Sequence, residues 1–135
     1  MIKKYKFKAK IQNVEAATNA VCSFLNEAQI KSIDRKKVSV AIDEIFSNIS
    51  YYAFPDKTGD VSLICDWDKD TENFTLTFID RGVPFNPLAK PLPNTKLSAH
   101  EREIGGLGIY LVRKLAKDIA YEYLNKSNIL NVVFH

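Results

Sequence analysis

The sequence predicts a mixed α/β fold of the α+β type: a two-layer sandwich with a mostly antiparallel sheet and helices on one face. Three observations predict it. An alternating strand opens the chain at residues 2–11, two helices with apolar stripes follow at residues 13–29 and 34–52, and two hairpins are expected within residues 61–80 and 120–134. Strands joined by short turns pair in antiparallel fashion, so the intervening helices would cover one face of the sheet.

Composition limits the classes of protein that remain. The 135 residues are 46% hydrophobic and 26% charged, which predicts one globular domain over residues 1–135. A net charge of +3 is too small to indicate direct nucleic-acid binding, and no apolar run is long enough for a membrane span. The only histidines are His100 and His135, which disfavours a zinc site or a Ser-His-Asp triad. Cys22 and Cys65 lack metal spacing and predict buried free thiols in a reducing cytoplasm.

The first strand alternates strictly. Its two faces are apolar (Tyr5, Phe7, Ala9 and Ile11) and basic (Lys4, Lys6, Lys8 and Lys10). The lysines could meet an acidic partner, but a solvated face or a guarded sheet edge is the favoured interpretation.

Two helices should follow. Asn13 is expected to cap the first, which runs to about Gln29, and Asp34 to cap the second, which runs to about Tyr52. Their apolar stripes are Val14, Ala17, Val21, Phe24, Leu25 and Ala28 in the first, and Val38, Ala41, Ile42, Ile45, Ile49 and Tyr52 in the second.

Two hairpins complete the sheet. The first turns at Asp68-Lys69-Asp70, and the alternation of its second strand places Asp80 in the register of the apolar side chains. The second is expected to join residues 120–124 and 129–134 over a loop of residues 125–128. Asp80 would therefore aim a carboxylate toward the core at a strand end, which is costly unless something hydrogen-bonds to it.

A long connection and a glycine loop lie between the two hairpins. Residues 82–103 lack periodicity and hold four of the five prolines, as expected for a functional lid. Gly105, Gly106 and Gly108 then precede a helix expected over Ile109–Lys117. Free backbone N–H groups at a helix N-terminus form an anion site, and phosphate is the obvious anion, although such a loop can also merely start a helix.

Polar residues on the second helix are candidate catalytic groups. Glu44 and Asn48 are one turn apart at the margin of the apolar stripe, with Asp43 further out. An amide oxygen can bind Mg²⁺, and a carboxylate can accept a proton or orient water. An exposed polar pair on a helix flank is the alternative.

Asp80 is a candidate base-binding residue. A buried carboxylate at a strand end suits the exocyclic amine of adenine, and Gly82 leaves room for a flat ring. An ordinary turn acid is the alternative.

Taken in order, these segments indicate a protein family more specifically than any one of them does alone. Residues 41–48 read AIDEIFSN, residues 80–87 read DRGVPFNP, and residues 105–112 read GGLGIYLV. The series resembles the GHKL superfamily of ATP-binding domains (the Bergerat, or histidine-kinase-like ATPase, fold) shared by gyrase, MutL and histidine kinases. It is most similar to anti-sigma factor serine kinases of the RsbW type.

The resemblance implies a role for each site residue. Glu44 would be the general base or water-orienting residue, and Asn48 the Mg²⁺ ligand. Asp80 would hold the adenine amino group of ATP with Gly82 beside it. The phosphates would be bound by backbone N–H groups of the loop Gly105, Gly106, Leu107 and Gly108. Two departures concern minor contacts: Tyr52 stands where histidine is frequent, and residues 128–131 replace a Gly-Thr pair.

The implied activity is that of an ATP-dependent serine/threonine kinase. Such proteins phosphorylate a small anti-anti-sigma partner of the STAS type, and many also sequester a sigma factor; a homodimer is compatible with the sequence. The alternative is a nucleotide-responsive module that holds a partner without phosphotransfer. A histidine-kinase catalytic domain is disfavoured because no long dimerisation helix is evident, and nucleic-acid binding through the lysine strand ranks last.

Overall fold

In the part of the chain that the structure describes, a five-stranded antiparallel sheet has three helices packed on one face. The computed structural model describes residues 1–89 and 107–135. The strands are β1 (Ile2–Lys8), β2 (Asp60–Asp68), β3 (Asn73–Asp80), β4 (Asp118–Leu124) and β5 (Ser127–Phe134). Their order across the sheet is β1-β2-β3-β5-β4, and every neighbouring pair is antiparallel.

Among the described residues, the helical layer contains α1 (Val14–Glu27), α2 (Arg35–Tyr52) and α3 (Leu107–Leu115), with 3₁₀ turns at Ile11–Asn13 and Pro87–Ala89. The helix α2 lies between α1 and α3 and contacts both. The predicted fold class is confirmed. Within the described ranges, no helix combines the length and apolar character needed to cross a bilayer.

One alternating register forms the core. Every second residue of β3 and β5 is buried against the helices, and the intervening residues are partly exposed on the other face. The stripe of α2 is confirmed for Val38, Ala41, Ile42 and Ile45, which are all buried. Phe46, which the pattern left out, is also fully buried.

Tyr52 is not in the core, contrary to expectation. Its side chain is 37% exposed because it lies at the last position of α2. There its ring packs on Phe85, with 6.1 Å between the ring centroids.

The first strand is shorter than expected. It ends at Lys8, and Ile11 lies in the following 3₁₀ turn with 41% of its surface exposed. Asn13 takes the N-cap position of α1, but its side chain donates to the carbonyl of Lys8 at 2.9 Å and does not cap the helix. Asp34 does cap α2, because its carboxylate accepts from the N–H of Lys36 at 2.9 Å.

The predicted loop of the last hairpin is too long. The connection consists of Asn125 and Lys126 alone, both with positive φ (53° and 61°), as in the two-residue turns that match strand twist. Asn128 therefore belongs to β5 and not to a loop. The other boundaries shift by two residues: β4 begins at Asp118 and α3 runs from Leu107 to Leu115.

The first hairpin and the cysteines are close to expectation. Residues 69–72 form the turn, and the Asp68 carboxylate accepts from the N–H of Asp70 at 3.0 Å. Both cysteines are free; Cys22 is half-buried, and burial raises the pKa of the fully buried Cys65 to about 12.

Candidate nucleotide-binding site

A cavity opens between the helical layer and the sheet. It measures about 430 Å³ when the open solvent at its mouth is included. Its wall is mostly apolar. The polar side chains that line it are Asn48, Asp80, Tyr121 and Asn128. An apolar slot with a few convergent polar groups is the usual form of a small-molecule site.

Asp80 is the buried acid of this cavity. Its side chain is in the inward register of β3, as the alternation predicted, and the residue is only 5% exposed. The Oδ1 atom accepts two hydrogen bonds, from the N–H of Gly82 and from Nδ2 of Asn128, each at 2.9 Å. Within the described part of the chain, Oδ2 has no hydrogen-bond donor. A buried acceptor beside a cavity is a place where a ligand donor can bind.

Electrostatics favour the same interpretation. Burial raises the pKa of Asp80 above its ordinary value, and the hydrogen bonds from Asn128 and Gly82 oppose that shift. A carboxylate held at a desolvation cost gains from any donor brought to it. An exocyclic amine on a bound base would supply one.

Asn128 is the member of the site that sequence reasoning missed. Its polar neighbours suggested a loop, yet it continues the buried register of Leu130, Val132 and Phe134 and lies opposite Asp80 in the β3–β5 ladder. An inward-facing polar residue on a strand was a usable signal, as it had been for Asp80.

The structure gives a packing reason for glycine at position 82, and its expected role beside a bound base stays a prediction. A Cβ at this position would overlap the carbonyl oxygen of Ala53, at the C-cap of α2. The adjacent Val83 N–H donates to the same carbonyl at 2.8 Å. The glycine thus lets the chain leaving β3 pack on the end of α2, and its own N–H holds Asp80.

Glu44 and Asn48 project from α2 at two places around the site. Asn48 lines the cavity, and among the described residues its amide has no hydrogen-bond partner. Glu44 lies against Gly108 near the start of α3, where a Cβ would overlap its carboxylate. Burial and the nearby Asp43 charge raise the pKa of Glu44, with burial the larger cause.

The phosphate loop can be placed only in part. Gly105 and Gly106 lie outside the described residues. Leu107 is the first residue of α3 and Gly108 the second. The N-terminal turn of α3, with its positive dipole end, therefore adjoins the Glu44 carboxylate, and Ile109 of the same turn lines the cavity.

Asn48 is the predicted metal ligand of this site. In the described ranges, no group of three His, Cys, Asp or Glu side chains lies close enough to form a metal site. The Asn48 amide, which has no hydrogen-bond partner in the described ranges, fits Mg²⁺ bound mainly through nucleotide phosphates and water, because this ion commonly takes only one or two protein ligands.

Several solved structures have a similar fold. The RsbU and RsbW domains of Rv1364c from Mycobacterium tuberculosis match with a TM-score of 0.65 at 14% identity, covering 100% of this chain and 32% of that one. The histidine kinase domain of the blue-light activated kinase EL346 from Erythrobacter litoralis matches with a TM-score of 0.57 at 16% identity, covering 90% and 60%. A second structure of that kinase matches with a TM-score of 0.52 at 18% identity, covering 90% of this chain and 41% of that one.

These likenesses establish a shared fold at low identity. This chain spans between about a third and three fifths of the length of the matched chains. No curated protein sequence matches it. The family model described as "Histidine kinase-like ATPase domain" matches residues 7–134, which implies ATP as the ligand and confirms the resemblance at the level of the family. The chain belongs to the family of histidine kinase-like ATPase domains.

Proposed function

We propose that the chain is an ATP-dependent serine/threonine protein kinase that acts as an anti-sigma factor and partner-switching regulator. Its substrate would be a small anti-anti-sigma protein of the STAS type, and its second partner a sigma factor in the cytoplasm. The family match supports ATP-dependent chemistry, and the likeness in fold to an RsbW-containing structure supports the regulatory role. The observation that carries the proposal is Oδ2 of Asp80, which lies beside an apolar cavity and has no hydrogen-bond donor among the described residues.

The base of ATP would be bound at Asp80. The exocyclic amine of adenine would donate to Oδ2 while the ring fills the slot between Phe78, Leu130 and Ile109, which line the cavity. Apolar side chains supply contact area, and the acid supplies orientation. The triphosphate of the bound ATP would then extend toward Asn48 and the N-terminus of α3.

The catalytic step would require little covalent chemistry from the protein. The serine Oγ of the partner would attack the γ-phosphorus, the bond from that phosphorus to the β–γ bridging oxygen would break, and ADP would leave. Glu44 would accept the serine proton. Asn48 would help to hold Mg²⁺, which when bound neutralises phosphate charge.

The position of Glu44 favours transfer over binding alone. Its carboxylate lies against Gly108 rather than in an ion pair with a described basic residue. Burial and Asp43 raise its pKa, which brings it nearer to that of a useful base at neutral pH. A module that only sequesters a partner has no need of such a group.

The test is phosphate transfer to a purified anti-anti-sigma protein from γ-labelled ATP with Mg²⁺. We expect acid-stable label on a serine of the partner, and we expect Glu44→Gln to abolish labelling while ATP binding is retained. A nucleotide-dependent complex without label would instead identify the binding module. Acid-labile label would indicate phosphohistidine and exclude a serine kinase.

A further inference from the structure

The amide of Asn128 is fully used within the protein. Its Nδ2 donates to Oδ1 of Asp80 and to the carbonyl of Val83, both at 2.9 Å. Its Oδ1 accepts from the N–H of Phe85 at 3.1 Å and from the hydroxyl of Tyr121. Two donors and two acceptor sites are the whole capacity of an amide, and the residue is only 6% exposed.

Two of these contacts determine which way the amide faces. The N–H of Phe85 can only donate, and the carbonyl of Val83 can only accept. If the Asn128 amide were flipped, its NH₂ group would face the Phe85 N–H, and its oxygen would face the Val83 carbonyl. The backbone after β3 therefore requires the NH₂ group to face Asp80. Asp80 receives a donor whatever occupies the cavity.

That donor leaves only one atom of Asp80 available to a ligand. Oδ1 accepts from both Gly82 and Asn128, which holds the carboxylate plane and stabilises the ionised form. An ionised carboxylate is an acceptor only. Oδ2 can then bind a ligand amine but not a ligand carbonyl.

We propose that Asn128 is the positioning residue of the nucleobase pocket, whose amide keeps Asp80 a fixed hydrogen-bond acceptor and so makes the pocket select a 6-aminopurine over a 6-oxopurine. The inference rests on the proposed function, because it assigns the base specificity of the same site. The same amide ties the chain at Val83 and Phe85 to β5, which holds the wall of the cavity next to the acid.

The test compares ATP with inosine triphosphate, which differ at position 6 of the purine, the position proposed to face Asp80, and in the proton that inosine carries on the adjacent N1. Inosine triphosphate carries a carbonyl oxygen where ATP carries its amine, with the same ribose and phosphates. Calorimetry of the wild-type chain should show at least about a tenfold preference for ATP, since a hydrogen bond to a charged group contributes about 1.5–3 kcal/mol.

Asn128→Asp is the decisive variant. It keeps two acceptors for Phe85 and Tyr121, but a carboxylate oxygen replaces the NH₂ group that donates to Oδ1 of Asp80 and to the carbonyl of Val83. The preference for ATP should fall to near unity, with little change in inosine triphosphate affinity. If Asn128 only supported the fold, the substitution would lower the affinity for both nucleotides to the same extent.

Asn131→Asp is the matched control. Asn131 lies on the same strand but faces the other side of the sheet, and its oxygen accepts from the Thr77 hydroxyl at 2.6 Å, which a carboxylate can also do. Its nucleotide preference should equal that of the wild type. If Asn128→Asp does not fold, the similarly shaped pair Asn128→Thr and Asn128→Val replaces it, because only the threonine can still donate to Asp80.

The outcomes separate the two proposals. An equal affinity of the wild-type chain for both nucleotides would overturn the role of Asp80 in base recognition, and this inference with it. A wild-type preference that persists in Asn128→Asp, or in Asn128→Val, would overturn the role of Asn128 alone. Loss of the preference in either variant supports it.

Discussion

The carboxylate of Glu44 lies so close to the Cα of Gly108 that a methyl group there would overlap it. The overlapping atoms are the flexible end of a side chain, so the carboxylate can move and the fold should survive. We expect Gly108→Ala to displace the proposed base and reduce phosphotransfer by at least about tenfold, a part of the roughly 10²–10⁴-fold that a positioned general base contributes. Binding of ATP should stay near wild type when measured by calorimetry.

A double-mutant cycle isolates that contact. With Glu44→Ala in the background nothing remains to displace, so Gly108→Ala should raise the free energy of unfolding by about 0.5–1 kcal/mol, the usual gain for alanine over glycine inside a helix. The same small gain in the presence of Glu44, together with unchanged transfer, would contradict the overlap.

Gly82→Ala should behave differently, because the atom in its way is the backbone carbonyl of Ala53. The end of α2 would have to shift, so we expect a loss of about 1–3 kcal/mol in unfolding free energy, as for other overpacked sites. Urea denaturation measures it, with Gly108→Ala as the comparison. Equal stability of Gly82→Ala and the wild type would show that the chain after β3 can move away without cost.

Asp80→Asn should separate binding from stability. Its amide would still accept from Gly82 and Asn128 but would present a donor to the adenine amine, so ATP affinity should fall by roughly 10- to 100-fold. Calorimetry gives that affinity. A variant that binds ATP as the wild type does would exclude Asp80 as the base-binding acid.

The difference in stability between the wild type and Asp80→Asn should also depend on pH with a definite sign. The pKa of Asp80 is raised in the folded state, so between its ordinary value and the raised one the folded state binds more protons than the unfolded state. Wild-type stability therefore loses a contribution as pH rises through that window, whereas the variant should not. At neutral pH we expect Asp80→Asn to be at least as stable as the wild type by thermal denaturation.

Asp43→Asn should move the acid side of the pH–rate profile. Asp43 is exposed and adds to the rise in the pKa of Glu44, after burial. A base acts in its deprotonated form, so transfer should fall as pH drops through the Glu44 pKa. Removing the Asp43 charge should shift that fall to lower pH. Glu27→Gln, an exposed acid at the end of α1, serves as the control and should leave the profile in place.

Asn48→Ala should affect ATP binding only when Mg²⁺ is present. Alanine suits the helix, and the Asn48 amide has no hydrogen-bond partner among the described residues, so affinity in EDTA should be unchanged. With Mg²⁺, affinity should fall by at least about tenfold, the effect that even outer-shell partners of a metal produce. An equal loss in EDTA would indicate that Asn48 contacts the nucleotide directly.

Residues governed by local rules were predictable from the sequence. Asp34 caps α2 because a carboxylate before a helix meets free N–H groups, and Asp80 faces inward because strand alternation is strictly periodic. Asn13 has the same capping chemistry but donates to Lys8 instead, an outcome decided by how β1 ends. The inward position of Asn128 follows the same alternation, but its pairing with Asp80 required knowledge of which strand lies beside β3.

The strand β5 follows all the others along the chain, yet it lies between β3 and β4 in the sheet. Asp80 and Asn128 are thus supplied by segments 48 residues apart that meet only when this strand has docked. Binding of ATP in this pocket would therefore require β5 to be in place in the sheet. A partly synthesised chain that lacks β5 should not bind the nucleotide. Amide hydrogen exchange with and without ATP should reveal this coupling as slower exchange in β3 and β5 together.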